Sequence, residues 1–272
     1  MNVPMTERGR LDFDKVSAWG PVLTTFLAST LTCAHVAEMR NREFKFVQDS
    51  RDHLRSVVGR SALDQAVSSW LGTVTVAGYH GSRLTSAEVE SVRKEGLQVL
   101  DPLSRKVRLA RALSGHPNWS DAMVGLDRAL TQRAEGRAGQ AHLTLSKSGL
   151  TRSFNHYLAV GSEFDMHVAH QLLGEEGVAL LRLDGRPMLV EASIPGPDAI
   201  AACNPWGLNP HDGPNLLAAV TAAFSYWLSQ PDWSSADLEE DCGMGFFETV
   251  SADWIINVTP WEFDEPTTVE AP

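Results

Sequence analysis

The pattern of apolar residues changes about a quarter of the way along the chain. Residues 22–31 (VLTTFLASTL) and 54–71 (LRSVVGRSALDQAVSSWL) have the apolar spacing of helices that bury one face. From Thr73 onwards, TVTVAGYH alternates β-branched with small residues, which predicts a strand that ends in a glycine-containing turn. We therefore predict an N-terminal helical segment over residues 1–70.

A short helix is predicted directly after this strand. Thr85 is a favourable N-cap, and Glu88 stands three residues later, where a capping box requires a glutamate or glutamine. Gly96 is suited to end the helix, because glycine adopts the left-handed conformation common just beyond a helix C-terminus.

Further along, helical and strand-like segments are interspersed. Helix is predicted over 103–137 with a break at 114–117, over 154–174 with a break near Gly161, and over 216–228. Strands are predicted at 141–146, in a hairpin over 177–196 that turns at Asp184-Gly185, and at 245–250 and 254–260. This order predicts an α+β fold, with one domain over residues 71–262 and a disordered acidic tail over 263–272.

Composition narrows the class of protein. Apolar residues make up 43% of the 272-residue chain and charged residues 21%, which is enough apolar material for a packed core. Three cysteines without a CxxC pair give neither a disulfide framework nor a structural zinc site, so a reducing compartment is expected. The N-terminus lacks the apolar core of a signal peptide, and residues 22–37 are too short and too polar to span a membrane. We expect a soluble, cytoplasmic protein.

The charge is unevenly distributed. The chain carries a net charge of −11, yet residues 102–140 carry +4 and the remainder −15. Two interpretations stay open for the basic stretch: solvated helical faces, or a basic rim that faces the phosphates of a nucleotide or nucleic acid.

Residues 78–100, GYHGSRLTSAEVESVRKEGLQVL, resemble the opening strand and helix of the poly-ADP-ribose polymerase and diphtheria-toxin branch of the ADP-ribosyltransferases. In that family a His-Gly-Ser tripeptide precedes a Gly-Leu helix end by about a dozen residues, and this chain has His80-Gly81-Ser82 and Gly96-Leu97. The resemblance implies a split mixed β-sheet core with an N-terminal helical elaboration.

Later segments resemble the same family in the same order. HLTLSKSGLTRSFNHY provides Tyr157 where the family has an aromatic residue that stacks on nicotinamide, and GFFETVSADWIINVTP provides Glu248 where it has a C-terminal glutamate. Two positions depart from the family: a conserved tyrosine would fall near Leu143, and the arginine-specific branch has an acid where this chain has Phe246. The second departure disfavours arginine as the acceptor.

The resemblance implies that the chain uses NAD as a substrate and assigns roles to individual residues. The Gly81 backbone would hold the carboxamide, His80 a ribose hydroxyl, and Ser82 and Arg83 would line the same cofactor site. Tyr157 would stack on the nicotinamide. Glu248 would hydrogen-bond the ribose and polarise the acceptor, stabilising the positive charge that develops as the glycosidic bond breaks. The alternatives are a core aromatic at Tyr157 and a solvated acid at Glu248.

Other acids compete with Glu248. Glu191 lies in a predicted strand whose outward face should be polar, so a structural role is favoured there. Glu163, His167 and His170 share one helical face at spacings that suit zinc, and His156 could join them, although no HExxH pattern is present.

Four functions follow from these features. The leading hypothesis is a mono-ADP-ribosyltransferase that acts on a protein or nucleic acid, as a bacterial toxin, effector or anti-phage defence factor. The second is an NAD glycohydrolase, the third an inactive module that binds NAD or ADP-ribose, and the fourth a metal hydrolase. For the N-terminal helices, covering the sheet, binding the target and docking an antitoxin-like or regulatory protein all stay open.

Overall fold

The structure is a computed structural model that describes residues 9–204, 215–240 and 242–263. The predicted acidic tail, apart from Phe263, lies outside the described residues. Within the described ranges, no helix is long and apolar enough to cross a membrane.

Helices make up most of the described chain. They are α1 (Val16–Phe26), α2 (Cys33–Arg40), α3 (Val47–Val58), α4 (Arg60–Leu71), α5 (Ser86–Glu95), α6 (Pro102–Leu113), α7 (Trp119–Ala122), α8 (Leu126–Ala134), α9 (Lys147–Arg152), α10 (His156–Val160), α11 (Glu163–Leu181), α12 (Gly196–Ala202) and α13 (Leu216–Ser229). Helix α11 is kinked at Gly174, whose φ of 61° is not helical.

The strands are β1 (Arg10–Leu11), β2 (Thr75–Leu84), β3 (Ala141–Thr144), β4 (Arg186–Pro195), β5 (Gly243–Phe246) and β6 (Ile255–Pro260). Within the described residues they form one open sheet in the order β5-β3-β2-β4-β6, with β1 pairing parallel to β2. Strands β4 and β6 are antiparallel, with Val190 opposite Val258. A mixed α and β chain with one open sheet agrees with the predicted α+β class.

The chain forms two compact units, each assembled from separated segments. The first unit comprises residues 1–78, 143–149 and 193–245, of which the described part contains α1 to α4, α12 and α13. The apolar helix α13 packs against α1, α2, α3 and α4, which explains why it is apolar on most of its surface. Gly20 of α1 allows this packing, because a Cβ there would lie 2.7 Å from the Trp227 ring.

The second unit comprises residues 79–142, 150–192 and 246–272. Its larger apolar cluster joins α6, α8 and α11 through Leu109, Leu130 and Val168. A smaller cluster joins the end of β2 to α5, β4 and β6. All residues of the predicted NAD site belong to this unit.

Several predicted elements are confirmed. Helix α5 begins with the predicted capping box: the Thr85 hydroxyl accepts from the Glu88 backbone N–H at 3.3 Å, and the Glu88 carboxylate accepts from the Thr85 backbone N–H at 2.7 Å. Gly96 follows the helix with a φ of 86°. The break at Gly161 is also present, where φ is 89° between α10 and α11.

Three predicted elements are wrong. The strand predicted over 245–250 is a strand only as far as Phe246, because residues 247 and 248 form a bend. Residues 177–181 form the end of α11, so Asp184 and Gly185 connect a helix to β4 and do not form a β-hairpin. The short apolar run GVALL has no periodicity that separates a buried strand from a buried helix. The strand predicted to end in a turn after His80 continues to Leu84, so Gly81, Ser82 and Arg83 are strand residues of β2.

Candidate functional site

The side chain of His80 is fixed by a hydrogen bond to the neighbouring strand. Its Nδ1 lies 2.8 Å from the backbone carbonyl oxygen of His142 in β3. A carbonyl oxygen only accepts, so Nδ1 carries the proton and donates it. In the neutral ring, Nε2 is then left with its lone pair as a hydrogen-bond acceptor.

The surroundings of His80 keep the ring neutral. Burial lowers the pKa of His80 to about 4; the hydrogen bond to His142 opposes this shift, while the Arg105 charge adds to it. At neutral pH the residue is therefore an uncharged acceptor at Nε2, with its tautomer set by the strand pairing.

Gly81 and Ser82 follow on the same strand. A Cβ at Gly81 would lie 3.1 Å from side-chain carbons of Leu150 and Leu158, so the glycine permits α9 and α10 to pack closely on β2. Ser82 is buried, and its hydroxyl forms no hydrogen bond with the part of the chain that the structure describes.

Arg83 is occupied by backbone carbonyls. Its guanidinium donates to the carbonyl oxygens of Gly185 at 2.7 Å, Asp184 at 3.3 Å and Ala159 at 3.4 Å. These bonds tie the end of β2 to the turn before β4 and to α10. Arg83 therefore stabilises the backbone at the end of β2, which carries His80, Gly81 and Ser82 of the predicted site.

Tyr157 lies on α10 beside a second histidine. The rings of His156 and Tyr157 are 4.1 Å apart between centroids and are tilted by 37°. His156 Nε2 lies 3.3 Å from the Glu163 carboxylate at the start of α11, and an Arg137 nitrogen lies 3.6 Å from the other Glu163 oxygen. Tyr157 is half-buried, as an aromatic that stacks on a ligand requires.

The charges of Arg137 and Glu163 also change the pKa of His142. Partial burial of the ring lowers the pKa of His142, and the Arg137 charge lowers it further. The Glu163 carboxylate opposes both effects. The Glu163 and Arg137 charges thus affect the side chain of His142, whose backbone carbonyl accepts a hydrogen bond from His80.

Glu248 lies in an exposed bend after β5. Among the residues that the structure describes, its carboxylate forms no hydrogen bond or ion pair. Two residues later, Val250 forms a β-bridge with Leu97, and the neighbouring Thr249 and Gln98 side chains are 3.1 Å apart.

Separate hydrogen bonds connect the segment after Gly96 with the segment that contains His142. The Leu100 N–H donates to the Gln140 carbonyl at 2.9 Å, and the Gln140 side chain lies 3.1 Å from His142 Nε2. The Glu248 and His80 side chains take no part in these bonds, and among the described residues they form no hydrogen bond with each other.

His142, Arg137 and Gln140 are functional candidates that sequence reasoning missed. His142 contributes its backbone carbonyl, which meets His80 because β3 pairs with β2. Any residue type has such a carbonyl, so the sequence does not indicate it. Leu143, which occupies the place of the family's tyrosine, is 1% exposed and supplies no polar group.

The basic stretch is largely neutralised by its own unit. Arg108 and Asp165 are both buried, with Arg108 Nε 3.4 Å from the Asp165 carboxylate. Arg105 also pairs with Asp165 at 3.2 Å, and Arg111 pairs with Asp184 at 2.8 Å. Several of these cations therefore have structural partners and do not form an open rim for phosphates.

The predicted zinc alternative receives no geometric support. No group of three or more His, Cys, Asp or Glu side chains in the described ranges is arranged to hold a metal ion. His170 instead pairs with Glu175 at 3.4 Å.

Comparisons with protein-family models, with curated proteins and with solved structures find no match to this chain.

Proposed function

We propose that this chain is a cytoplasmic NAD-dependent mono-ADP-ribosyltransferase that transfers ADP-ribose to a protein or nucleic acid, in a toxin, effector or defence role. The observation that carries the proposal is the state of His80. A neutral imidazole whose Nδ1 is committed to a backbone carbonyl at 2.8 Å presents Nε2 as an acceptor, which suits a ribose hydroxyl. The resemblance over residues 78–100 supplies the reaction class.

The proposed roles follow from the chemistry of NAD. The pyridinium leaves as neutral nicotinamide, and positive charge develops on the ribose. His80 Nε2 accepts from a ribose hydroxyl, the Gly81 backbone and Ser82 hydroxyl bind polar groups of the cofactor, and Tyr157 stacks on the nicotinamide. The Glu248 carboxylate is exposed and has no hydrogen-bond or ion-pair partner among the described residues; it stabilises the ribosyl cation and polarises the acceptor.

An NAD glycohydrolase is the second candidate. Glu248 lies in an exposed bend, so water reaches the carboxylate that would polarise the acceptor. Water and a macromolecule then compete for the same ribosyl cation. The two functions differ in whether the label from NAD ends on a macromolecule.

Two substitutions test the contributions of the two ring nitrogens of His80 separately. An amide nitrogen of asparagine can replace Nδ1 and donate to the His142 carbonyl, whereas glutamine can reach the place of Nε2. We expect His80→Asn to remain folded and to lose NAD affinity by about tenfold, because a ligand hydrogen bond contributes about 0.5–1.5 kcal/mol. His80→Gln should bind NAD better than His80→Asn.

Calorimetric titration with NAD measures both variants against the wild type. The matched control is His170→Asn, which removes an exposed histidine of the same unit that pairs with Glu175. Equal NAD affinity in the wild type and in folded His80→Asn would contradict the proposed site, and absence of NAD binding and turnover by the wild type would end the proposed function.

A further inference from the structure

His156 and Glu163 have the geometry of an oriented histidine base. His156 Nε2 lies 3.3 Å from Glu163 Oε1, and the two side chains are 31% and 32% exposed. A carboxylate accepts, so Nε2 carries the proton and the lone pair of the neutral ring lies on Nδ1. Within the described chain Nδ1 forms no hydrogen bond. A histidine held by a carboxylate with its other nitrogen free is the arrangement of a general base.

Arg137 fixes the carboxylate of this pair. Its guanidinium is 3.6 Å from Glu163 Oε2, and it is itself 59% exposed. The two Glu163 oxygens therefore have separate partners, so Arg137 does not displace His156. The charged and titratable groups known to face His156 are Glu163 and Arg137, together with the phenol of Tyr157 on the same helix.

The His156–Glu163 pair differs in position from other His–Glu pairs of this unit. His156 lies against the ring of Tyr157, with 4.1 Å between centroids. His116 and Glu176, 2.7 Å apart, and His170 and Glu175, 3.4 Å apart, are the same chemical pairs elsewhere on this unit. Of these three pairs in the described chain, the one that contains His156 adjoins a residue of the proposed NAD site.

We propose that His156 is the general base that takes the proton from the acceptor and that Glu163 positions it. This inference rests on the proposed function. The acceptor X–H forms a bond from X to ribose C1′, and the bond from C1′ to the nicotinamide nitrogen breaks with its electron pair on that nitrogen. The acceptor proton passes to His156 Nδ1 and then to solvent, so NAD and X–H yield ADP-ribosyl-X, nicotinamide and a proton.

The test uses two replacements of His156. His156→Phe keeps a ring against Tyr157 without a basic nitrogen, and we expect it to lower the transfer rate by about 100-fold, the scale of general base catalysis, while the KM for NAD changes less than threefold. His156→Ala should lose transfer to a similar extent and regain it with added imidazoles, in an order that follows their basicity. A purely structural side chain would not respond to basicity.

Glu163 is tested as a positioning residue. Glu163→Gln should lower kcat by about tenfold with the KM for NAD unchanged, and His170→Ala, which disrupts the matched exposed pair, should leave both unchanged. Transfer by His156→Phe within threefold of the wild type, or loss in His156→Ala that no base restores, would overturn the assignment. Failure of the proposed function is a different result, because the wild type would then neither release nicotinamide nor transfer label.

Discussion

His80 should remain neutral down to unusually low pH in the folded protein. An unperturbed histidine takes up a proton near pH 6.5, whereas the pKa of His80 is lowered to about 4 by its burial. At about 1.4 kcal/mol for each pKa unit this difference corresponds to about 3.5 kcal/mol, and solvent at the partly exposed ring reduces it to about 1–3 kcal/mol.

The direction of the pH dependence follows from which state binds the proton first. As the pH falls below 6.5 the unfolded chain protonates at residue 80 while the folded chain does not, so stability is lost between pH 6.5 and 4. His80→Asn does not titrate at this position and keeps a donor for the His142 carbonyl. Between pH 7 and 4 the wild type should therefore lose about 1–3 kcal/mol more free energy of unfolding than His80→Asn.

Two measurements check this prediction. Urea unfolding at a series of pH values compares the wild type with His80→Asn, and the carboxylates common to both proteins cancel in the difference. Nitrogen-15 spectra of the His80 ring should show a protonated Nδ1 and an unprotonated Nε2 at pH 7, with a midpoint near 4. A midpoint near 6.5, or a proton on Nε2, would refute the reasoning.

Three further predictions concern the scaffold of the site. Asp165→Asn removes one carboxylate partner of the buried Arg108, while Glu88 remains 3.0 Å from its guanidinium, so chemical denaturation should show a loss of about 1–3 kcal/mol. Gly96→Ala places a Cβ 2.0 Å from the Val250 carbonyl oxygen at a φ of 86°; we expect lower thermal stability and slower NAD turnover, because the bend with Glu248, the proposed catalytic acid, must move. Thr85→Ala removes the N-cap of α5 and should cost about 1 kcal/mol in urea unfolding, with NAD affinity unchanged.

Local signals in the sequence were sufficient for much of the secondary structure. The capping box at Thr85 and the helix end at Gly96 depend on residues within one or two turns, and both predictions are confirmed. The break at Gly161 is confirmed for the same reason, since its φ of 89° favours glycine.

Predictions that depended on tertiary contacts failed or could not be made. The apolar run at 177–181 predicts a strand, but these residues form the end of α11, where Val178 and Leu181 are buried. Gly81 was expected in a turn, yet it permits Leu150 and Leu158 to pack on a continuing strand. A glycine within a β pattern is compatible with both arrangements, and only the packed neighbours distinguish them.

The candidate site likewise combines residues predicted from the sequence with contacts that only the structure shows. His80, Tyr157 and Glu248 were selected by resemblance, and their chemical roles remain predictions. The hydrogen bond from His80 to His142 and the pairing of His156 with Glu163 come from the structure. The first could not be deduced from the sequence, because it is to a backbone oxygen of a strand 62 residues away. The sequence groups His156 with Glu163 only as possible zinc ligands, and their hydrogen bond depends on the turn between α10 and α11.

Incubation of the purified chain with labelled NAD and a cell lysate, with and without nuclease, tests the central claim most directly. Glu248→Gln is the test variant and Glu262→Gln, at another exposed glutamate, is the matched control. We predict nicotinamide release and label on macromolecules with the wild type and the control, at least 100-fold less with Glu248→Gln, and nuclease sensitivity if the acceptor is nucleic acid. Nicotinamide release without labelled macromolecules would indicate a glycohydrolase, and an unconsumed NAD pool would contradict the enzymatic account.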